Sequence, residues 1–300
     1  MTTNIRRMIA PAPAFLLALL AISHAPSLET PFSIPNKSIY FNKTICYTLL
    51  KVFLNPGGEA MNTVLITGSS RGIGRETALV FAQNGWNVAI HGYRHPERLA
   101  SLEQEIKRLG VQCLSFTGDI CDSYFVEQMI AGTISCFGGL DCLVNNAGIS
   151  RVGLFTDTSE KDWQEMFHTN VMPLFASCKS VLPHMIRRQS GTILNISSVW
   201  GGAGASCEVL YSAAKGAVNT FTKALAKEVA PSNISVNAIA FGMIDTEMNS
   251  GFTEEEKDMI RQEIPADRIA GPREAAEMIY HTCTAPRYLT GEIITFSGGW

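Results

Sequence analysis

Short apolar runs alternate with amphipathic stretches along the chain from Met61 onward. Runs such as residues 64–66 and 142–144 are continuously apolar, as expected for strands that are buried on both faces. Between such runs, stretches such as residues 97–109 place apolar residues at helical spacing. No Pro/Gly/Ser-rich linker or internal repeat divides residues 61–300. The pattern predicts one α/β domain, a doubly wound parallel sheet with helices on both faces.

Residues 1–60 do not follow this pattern. Arg6 and Arg7 precede an apolar stretch over residues 8–22 that resembles a secretory signal and is too short and proline-broken for a membrane span. Residues 26–60 carry four prolines and no clear periodicity. We expect residues 1–60 to be a leader outside the fold, translated upstream of a true start at Met61. A genuine signal over residues 1–25 is the alternative, and it would make the protein exported or membrane-anchored.

The first strand of the domain runs into a glycine-rich turn, and helix-forming residues follow. The order of strand, turn and helix builds a site for a nucleotide diphosphate, because glycine lets the backbone approach the phosphates and the helix N-terminus faces their charge. The spacing G-x3-G-x-G differs from the common G-x-G-x-x-G fingerprint. The turn predicts cofactor contacts from Gly68, Ser69, Ser70, Arg71, Gly72, Ile73 and Gly74.

A second group of polar residues lies far downstream. Tyr211 and Lys215 are four residues apart, which places them on one face of a helix. Ser198 ends a buried strand over residues 193–198, and the run N-N-A-G at 145–148 closes another strand. Ligands bind at the carboxyl ends of the strands in open parallel sheets. We therefore expect these residues at one edge of the sheet.

These motifs, in this order and at these distances, resemble the short-chain dehydrogenase/reductase family over residues 61–300. The resemblance implies a Rossmann-type fold and carbonyl reduction with hydride from a nicotinamide. It implies that Tyr211 is the general acid, that Ser198 binds the carbonyl oxygen, and that Lys215 lowers the pKa of Tyr211 and holds the nicotinamide ribose. Asn170 matches the residue that anchors a water chain to the lysine. A non-catalytic nucleotide-binding scaffold is the alternative from another class of protein.

The second strand indicates which nicotinamide cofactor is preferred. NAD-specific sites end this strand with an acid, whereas NADP sites use arginine. Here no acid appears before Glu97, while Arg94 sits where a 2′-phosphate would lie and Arg71 adds a second charge. We predict NADP(H) in preference to NAD(H). The resemblance implies further cofactor contacts from Tyr93, Arg94, Asp119, Ile120, Asn146, Ala147, Gly148, Tyr211, Lys215, Gly242, Ile244 and Thr246.

Two features bear on the substrate. The domain as a whole resembles the 3-oxoacyl-acyl-carrier-protein reductases of fatty-acid biosynthesis, although Phe241 replaces their usual proline, a change expected to enlarge and loosen the cofactor-side wall. Glu208 lies one helical turn before Tyr211, where those enzymes carry a neutral amide. The loop over residues 198–211 resembles reductases of the 5-aminopentanone group on a lysine of elongation factor P. A carboxylate there would attract an amine, unless Glu208 is a rim charge facing water. The predicted substrate contacts are Ser198, Glu208 and Tyr211.

Composition and charge bear on nucleic-acid binding, on metal binding and on the state of the cysteines. A formal net charge of −3 offers no basic field for nucleic acid. The eight cysteines show no C-x2-C pairing and no metal-ligand spacing, so we expect reduced structural thiols and no metal. The family resemblance implies a homo-oligomer, a dimer or a homotetramer, in the cytoplasm. The apolar residues Val218, Phe221 and Leu225 serve either such an interface or the core.

Overall fold

The computed structural model describes residues 61–300 and, for the backbone alone, two short segments before them. Our leader and signal expectations for the rest of residues 1–60 lie outside the described residues. The two segments are β1 (Pro31–Ile34) and β2 (Lys37–Tyr40), which pair antiparallel. Residues 1–60 and 61–300 form two separate units. Within the described part, no helix has the length and apolar character that crossing a bilayer requires.

Residues 61–300 contain a seven-stranded sheet whose neighbouring strands all run parallel. Its strand order is β5-β4-β3-β6-β7-β8-β9. The strands are β3 (Thr63–Ile66), β4 (Asn87–Gly92), β5 (Cys113–Thr117), β6 (Cys142–Asn145), β7 (Gly191–Ser198), β8 (Ile234–Phe241) and β9 (Ile293–Phe296). The chain moves outward from β3 to β5 and then returns to β6 beside β3. This reversal creates the crevice where ligands bind in such sheets, and it confirms the predicted fold class.

Helices cover both faces of the sheet. They are α1 (Gly72–Gln83), α2 (Pro96–Arg108), α3 (Ser123–Phe137), α4 (Glu160–Asn170), α5 (Met172–Arg188), α6 (Trp200–Ala203), α7 (Val209–Val229), α8 (Glu254–Glu263) and α9 (Pro272–Thr284). Side chains from α1, α2 and α9, such as Phe81, Leu102 and Ile279, join one buried cluster. Met129, Val181 and Leu225 from α3, α5 and α7 join a second cluster. The sheet therefore has a separate core on each side.

Local sequence signals account for where these elements begin and end. The helix expected over residues 97–109 is α2, and it begins at Pro96, whose fixed φ suits the first helical position. The Asp122 side chain caps α3 by accepting from two backbone amides, and Gly138 ends α3 in the left-handed conformation (φ 82°). Strand β7 is buried along its full length up to Ser198. That burial delivers the Ser198 hydroxyl to the carboxyl edge of the sheet.

Candidate active site

A cavity of about 830 Å³ lies beyond the carboxyl ends of β6, β7 and β8. It brings together all four residues that the sequence predicted to be catalytic, Asn170, Ser198, Tyr211 and Lys215. Glu208 also lines it, and besides Tyr211 and Lys215 so do six further predicted cofactor residues: Ile73, Asn146, Gly148, Gly242, Ile244 and Thr246. The remaining predicted cofactor residues lie outside this cavity, on the glycine turn and after β4, β5 and β6.

The glycine turn is held in place by the N-N-A-G segment. The Asn146 side-chain amide donates to the carbonyls of Thr67 and Gly68, at 2.9 Å each, and Thr67 Oγ1 accepts from the Asn146 and Ala147 amides at 3.0 Å. A Cβ at Gly74 would overlap the Gly68 carbonyl oxygen and lie 2.5 Å from Asn146 Nδ2. Gly68 itself has φ +66°, which favours glycine. This close backbone packing, directly before α1, fits a dinucleotide diphosphate.

His91 is part of this cradle although the sequence analysis did not single it out. The Gly68 amide donates to His91 Nδ1 at 3.2 Å, and His91 Nε2 lies 3.0 Å from the Gly118 carbonyl. The ring is therefore neutral with its proton on Nε2, and burial lowers the pKa of His91. No motif marks a histidine near the end of a buried strand such as β4. It joins the turn after β3 to the turn after β5.

The surroundings of Ser69 do not favour the predicted contact with the cofactor. Ser69 is fully buried, and its hydroxyl donates to the Ile66 carbonyl at 2.9 Å and accepts from the His91 amide at 2.9 Å. Its own amide donates to the His91 carbonyl at 2.8 Å. Both polar groups of Ser69 are therefore used inside the fold, where they fasten the glycine turn to β4.

Asp119 and Ile120 follow β5 at the same edge of the sheet. Asp119 Oδ1 accepts from the Cys121 amide at 2.9 Å, as expected of an aspartate in a turn after a strand. Ile120 is buried in one of the two cores. Their contact with the adenine stays a prediction.

The three residues of the predicted proton-transfer group meet at one wall of the cavity. Ser198 is 6% exposed and hydrogen-bonds the Tyr211 phenol, while its Oγ also accepts from the Trp200 amide at 3.2 Å. Lys215 Nζ lies 5.5 Å from the centroid of the Tyr211 ring and donates to the Ile196 carbonyl at 2.8 Å. Helix α7 holds Tyr211 and Lys215 one turn apart, and β7 supplies Ser198. The arrangement can bind a carbonyl oxygen and give it a proton.

The pKa values in this group differ from the expectation that Lys215 lowers the pKa of Tyr211. Burial raises the pKa of Tyr211, the Glu208 carboxylate raises it further, and the hydrogen bond from Ser198 opposes them. Burial lowers the pKa of Lys215 to about 8. In the protein without cofactor, burial and Glu208 outweigh the Ser198 hydrogen bond, and the lowering expected from Lys215 stays a prediction. Tyr211 is consequently protonated at neutral pH.

Asn170 lies at the end of α4 and closes the floor of the cavity. It is 1% exposed, and its side chain accepts from the Ile149 amide at 3.1 Å and donates to the Ile149 carbonyl at 3.0 Å. A Cβ at Gly148 would clash with Asn170 and come within 3.7 Å of Lys215 Nζ. Gly148 therefore lets Asn170 and Lys215 approach from opposite sides. The water chain between them stays a prediction.

The arginines proposed for a 2′-phosphate take different positions. Arg94 is exposed and lies 5.6 Å from the centroid of the Tyr93 ring. Arg71 is paired with Glu247, at 3.1 Å, and so is Arg98, at 2.9 Å. The sequence analysis missed Arg98, although its place in the first turn of α2, directly after the second strand of the domain, is a signal that could have found it.

The expected loosening at Phe241 is wrong. Phe241 is the last residue of β8, where it pairs with Ser198 and Phe296 in the ladder, and it is 4% exposed. Its ring packs edge-on against Phe296 with 5.7 Å between centroids. A residue with an amide and a large apolar ring therefore extends the sheet and fills the wall at this position.

Glu208 lies in the cavity wall rather than facing only water. Its Oε1 accepts a hydrogen bond of 2.8 Å from the Ser150 hydroxyl, a contact that the sequence analysis did not anticipate. Two more carboxylates, Glu256 and Glu263, line the cavity, and among the described residues that line it Lys215 is the single lysine or arginine. The substrate side of the cavity is therefore acidic.

The comparisons with known proteins agree with this geometry. The family model for short chain dehydrogenases matches residues 62–257. An uncharacterised oxidoreductase of Bacillus subtilis, YmfI, is 40% identical over 79% of this chain and 98% of its own length. The 3-oxoacyl-[acyl-carrier-protein] reductase FabG of Staphylococcus aureus is 36% identical over 79% of this chain and 97% of its own length. A dehydrogenase/reductase structure from Sinorhizobium meliloti covers 81% of this chain and 96% of its own, with a TM-score of 0.75 and 30% identity.

The fold, the site and these matches place the chain in the short-chain dehydrogenase/reductase family. It is an NAD(P)-dependent oxidoreductase that resembles 3-oxoacyl-acyl-carrier-protein reductase.

Proposed function

We propose that the protein is an NADPH-dependent carbonyl reductase in which Tyr211 protonates the carbonyl oxygen. The observation that carries this proposal is the meeting of Ser198, Tyr211 and Lys215 at one cavity wall. The raised pKa of Tyr211 keeps the phenol protonated at neutral pH, as an acid in the reductive direction must be. Ser198 hydrogen-bonds the carbonyl oxygen and stabilises its developing charge.

The nicotinamide cofactor, when bound, supplies the hydride. Its diphosphate would lie against the glycine turn between Gly68 and Gly74, where the backbone packs most closely. Its nicotinamide end would lie near Ile244 and Thr246, which line the cavity beside Tyr211. The ribose hydroxyls would be held by Tyr211 and Lys215. Arg71 and Arg94 support a preference for the 2′-phosphate of NADPH.

For the substrate, the acidic lining favours a ketone that carries a positive charge. Glu208 follows the loop that leads to Tyr211 and is fixed by Ser150, so a carboxylate stands close to where the carbonyl binds. An ammonium group would satisfy that carboxylate, whereas an acidic substrate would be repelled. The 5-aminopentanone group on a lysine of elongation factor P has this chemistry, and we propose it as the substrate.

A second candidate is a 3-oxoacyl group on an acyl carrier protein. The support for it is the name carried by relatives at 36% identity over nearly their full length. Arg187 and Arg188 form a basic pair at the end of α5, the kind of group that contacts an acidic carrier protein. Arg188 is instead paired with Asp141 at 2.9 Å, which ties α5 to the start of β6. Because Arg188 is already paired within the fold, we favour the elongation-factor substrate over the acyl-carrier-protein substrate.

We also propose a cytoplasmic homo-oligomer, a dimer or a tetramer. Val218 and Leu225 are buried in the protomer, so of the three apolar residues on α7 only Phe221 is partly accessible. Five exposed apolar side chains lie close together in sequence on α4 and α5: Trp163, Phe167, Met172, Phe175 and Ile186. An interface through these helices would bury them. Analytical ultracentrifugation that finds a monomer at micromolar concentration would exclude it.

The substrate proposal is tested by NADPH oxidation with two carbonyl carriers. The full chain would be supplied with elongation factor P bearing the keto-amine lysine and, separately, with an acetoacetyl thioester of acyl carrier protein. We expect turnover of the modified factor, at least tenfold faster than of the thioester. Fast turnover of the thioester alone would assign the protein to fatty-acid synthesis, and no activity on any ketone would favour the scaffold.

A further inference from the structure

Two arginines and one glutamate form an ion cluster at the cofactor edge of the sheet. Glu247 Oε1 and Oε2 lie 2.9 and 3.0 Å from Arg98 Nη1, and Oε2 lies 3.1 Å from Arg71 Nη1. Arg71 belongs to the glycine turn, Arg98 to the first turn of α2, and Glu247 to the segment after β8. Three separate elements therefore meet on one carboxylate.

The position of this cluster is that of a 2′-phosphate site. Arg71 directly precedes α1, whose N-terminus would face the diphosphate, and Arg98 stands just after β4, the strand whose end contacts the adenosine ribose. Guanidinium groups bind phosphate oxygens through several donors in a planar fork. The Glu247 carboxylate, which both arginines contact, is an oxyanion like phosphate and accepts from the same donors, although it is smaller. Glu247 therefore stands in for the phosphate.

Charge and exposure indicate which anion the arginines prefer. The side chains of Arg71, Arg98 and Glu247 are 52%, 40% and 51% exposed, so solvent screens their pairing and the ion pair is weak. A ribose phosphate carries about 1.5 to 2 negative charges at pH 7 and offers three acceptor oxygens. It can displace one exposed carboxylate from the same two donors.

We propose that Arg71 and Arg98 together bind the 2′-phosphate of NADPH, and that Glu247 is an internal competitor that the phosphate displaces. Glu247 then sets how strongly the protein distinguishes NADPH from NADH, because every NADPH molecule must break its ion pairs and NADH need not. This inference rests on the proposed preference for NADPH and adds to it a missing ligand, Arg98, and an opposing residue.

Glu247, the proposed competitor, is also connected to the substrate side of the cleft. Glu247 follows Thr246, whose methyl group would lie 3.5 Å from a Cβ at Gly72, and Thr246 and Met248 both line the cavity. The ion cluster therefore fastens the segment after β8 to the glycine turn. Release of Glu247 by the phosphate frees that segment at its cofactor end.

The test is binding of 2′,5′-ADP and of 5′-ADP to the full chain by isothermal titration calorimetry at constant ionic strength. These two probes differ by the 2′-phosphate and contain no nicotinamide. We expect Glu247→Gln to tighten 2′,5′-ADP about fivefold with 5′-ADP changed less than twofold, and Arg98→Gln to weaken 2′,5′-ADP about tenfold. Glu254→Gln, which removes the same charge from a glutamate paired with Lys257 at 2.8 Å, is the matched control and should change neither.

The outcomes separate this inference from the cofactor preference itself. If the unmodified protein prefers 2′,5′-ADP but Glu247→Gln leaves its affinity unchanged, the competitor is excluded and the NADPH preference stands. If neither protein distinguishes the two probes, both proposals fail. If only the Glu247→Gln variant binds 2′,5′-ADP more tightly than 5′-ADP, then Glu247 masks the 2′-phosphate site in the unmodified protein, which supports the inference. Loss of 5′-ADP binding in Arg98→Gln to the same degree as 2′,5′-ADP would contradict a role specific to the phosphate.

Discussion

The cofactor side of the cleft is formed mainly by closely packed backbone, whereas the substrate side is formed mainly by side chains. On the cofactor side, the backbone at Gly68 and Gly74 packs against the Asn146 side chain so closely that a single added Cβ would overlap its neighbours. On the substrate side, side chains on loops and short helices line the cavity, such as Glu208 and Met248, the latter 52% exposed. A backbone-built surface tolerates few sequences, whereas a side-chain surface changes with each substitution. The first defines the class of enzyme and the second defines its substrate.

The largest effect should come from Tyr211→Phe. Removing the phenol removes the proton donor and one ribose hydrogen bond but leaves the glycine turn untouched, so we expect kcat to fall about 10³-fold and cofactor affinity to fall no more than about tenfold. Stopped-flow NADPH oxidation and a cofactor titration measure the two quantities. A variant that keeps a tenth of its activity would show that another group supplies the proton.

The corresponding test on the cofactor side of the cleft is Gly74→Ala. The new Cβ would lie 2.5 Å from Asn146 Nδ2 and overlap the Gly68 carbonyl, so the turn must shift. We expect about 2 kcal/mol of lost stability and at least tenfold weaker cofactor binding. Gly271→Ala is the control, since a Cβ at Gly271 meets no atom within 4 Å. Equal effects from both variants would mean that the close packing has no special role.

On the substrate side, Glu208→Gln should change specificity more than activity. We expect kcat/KM for a ketone bearing an ammonium group to fall about tenfold and that for a neutral ketone to change little. Because Glu208 raises the pKa of Tyr211, its neutralisation should also move the loss of reductase activity at high pH to a lower pH. A pH–rate profile that stays in place would show that Glu208 faces water and does not act on Tyr211.

The smallest effect should be a pH dependence of stability that arises from His91. Its pKa is lowered in the folded state, so between that value and about 6.5 the unfolded chain binds more protons. Stability contributed by neutral His91 is therefore present above about pH 6.5 and is lost as the pH falls toward the lowered value. We expect His91→Gln, measured by urea unfolding between pH 5 and 8, to be less stable at pH 8 and to show a flatter pH dependence. An unchanged pH slope would exclude His91 as its source.

The sequence was sufficient for the fold and for the backbone-built part of the site. The glycine spacing, the N-N-A-G run and the Y-x3-K pair are short patterns that depend on local geometry. Their spacing along the chain was therefore enough to predict that they lie at the carboxyl edge of the sheet. The helix at Pro96 and the strand ending at Ser198 were likewise visible in apolar periodicity.

What the sequence did not reveal depends on contacts between distant segments. The Ser150–Glu208 bond joins residues 58 positions apart, and the Arg98–Glu247 pair joins residues 149 apart. Neither spacing is a motif. The hydrogen bonds by which Ser69 ties the glycine turn to β4 could not be seen in the sequence, because they exist only once the partner strand is placed. The raised pKa of Tyr211 could not be anticipated because it arises from burial and from the Glu208 carboxylate, which only the fold brings close to the phenol.

We propose above that this fold holds an NADPH-dependent reductase whose acidic cavity selects a positively charged ketone. The most direct test is steady-state NADPH oxidation by the full chain with two ketones of equal length, one ending in an ammonium group and the other in a methyl group. We expect a kcat/KM at least tenfold higher for the charged ketone, and loss of that advantage in Glu208→Gln. Equal or better turnover of the neutral ketone by the unmodified protein would contradict it.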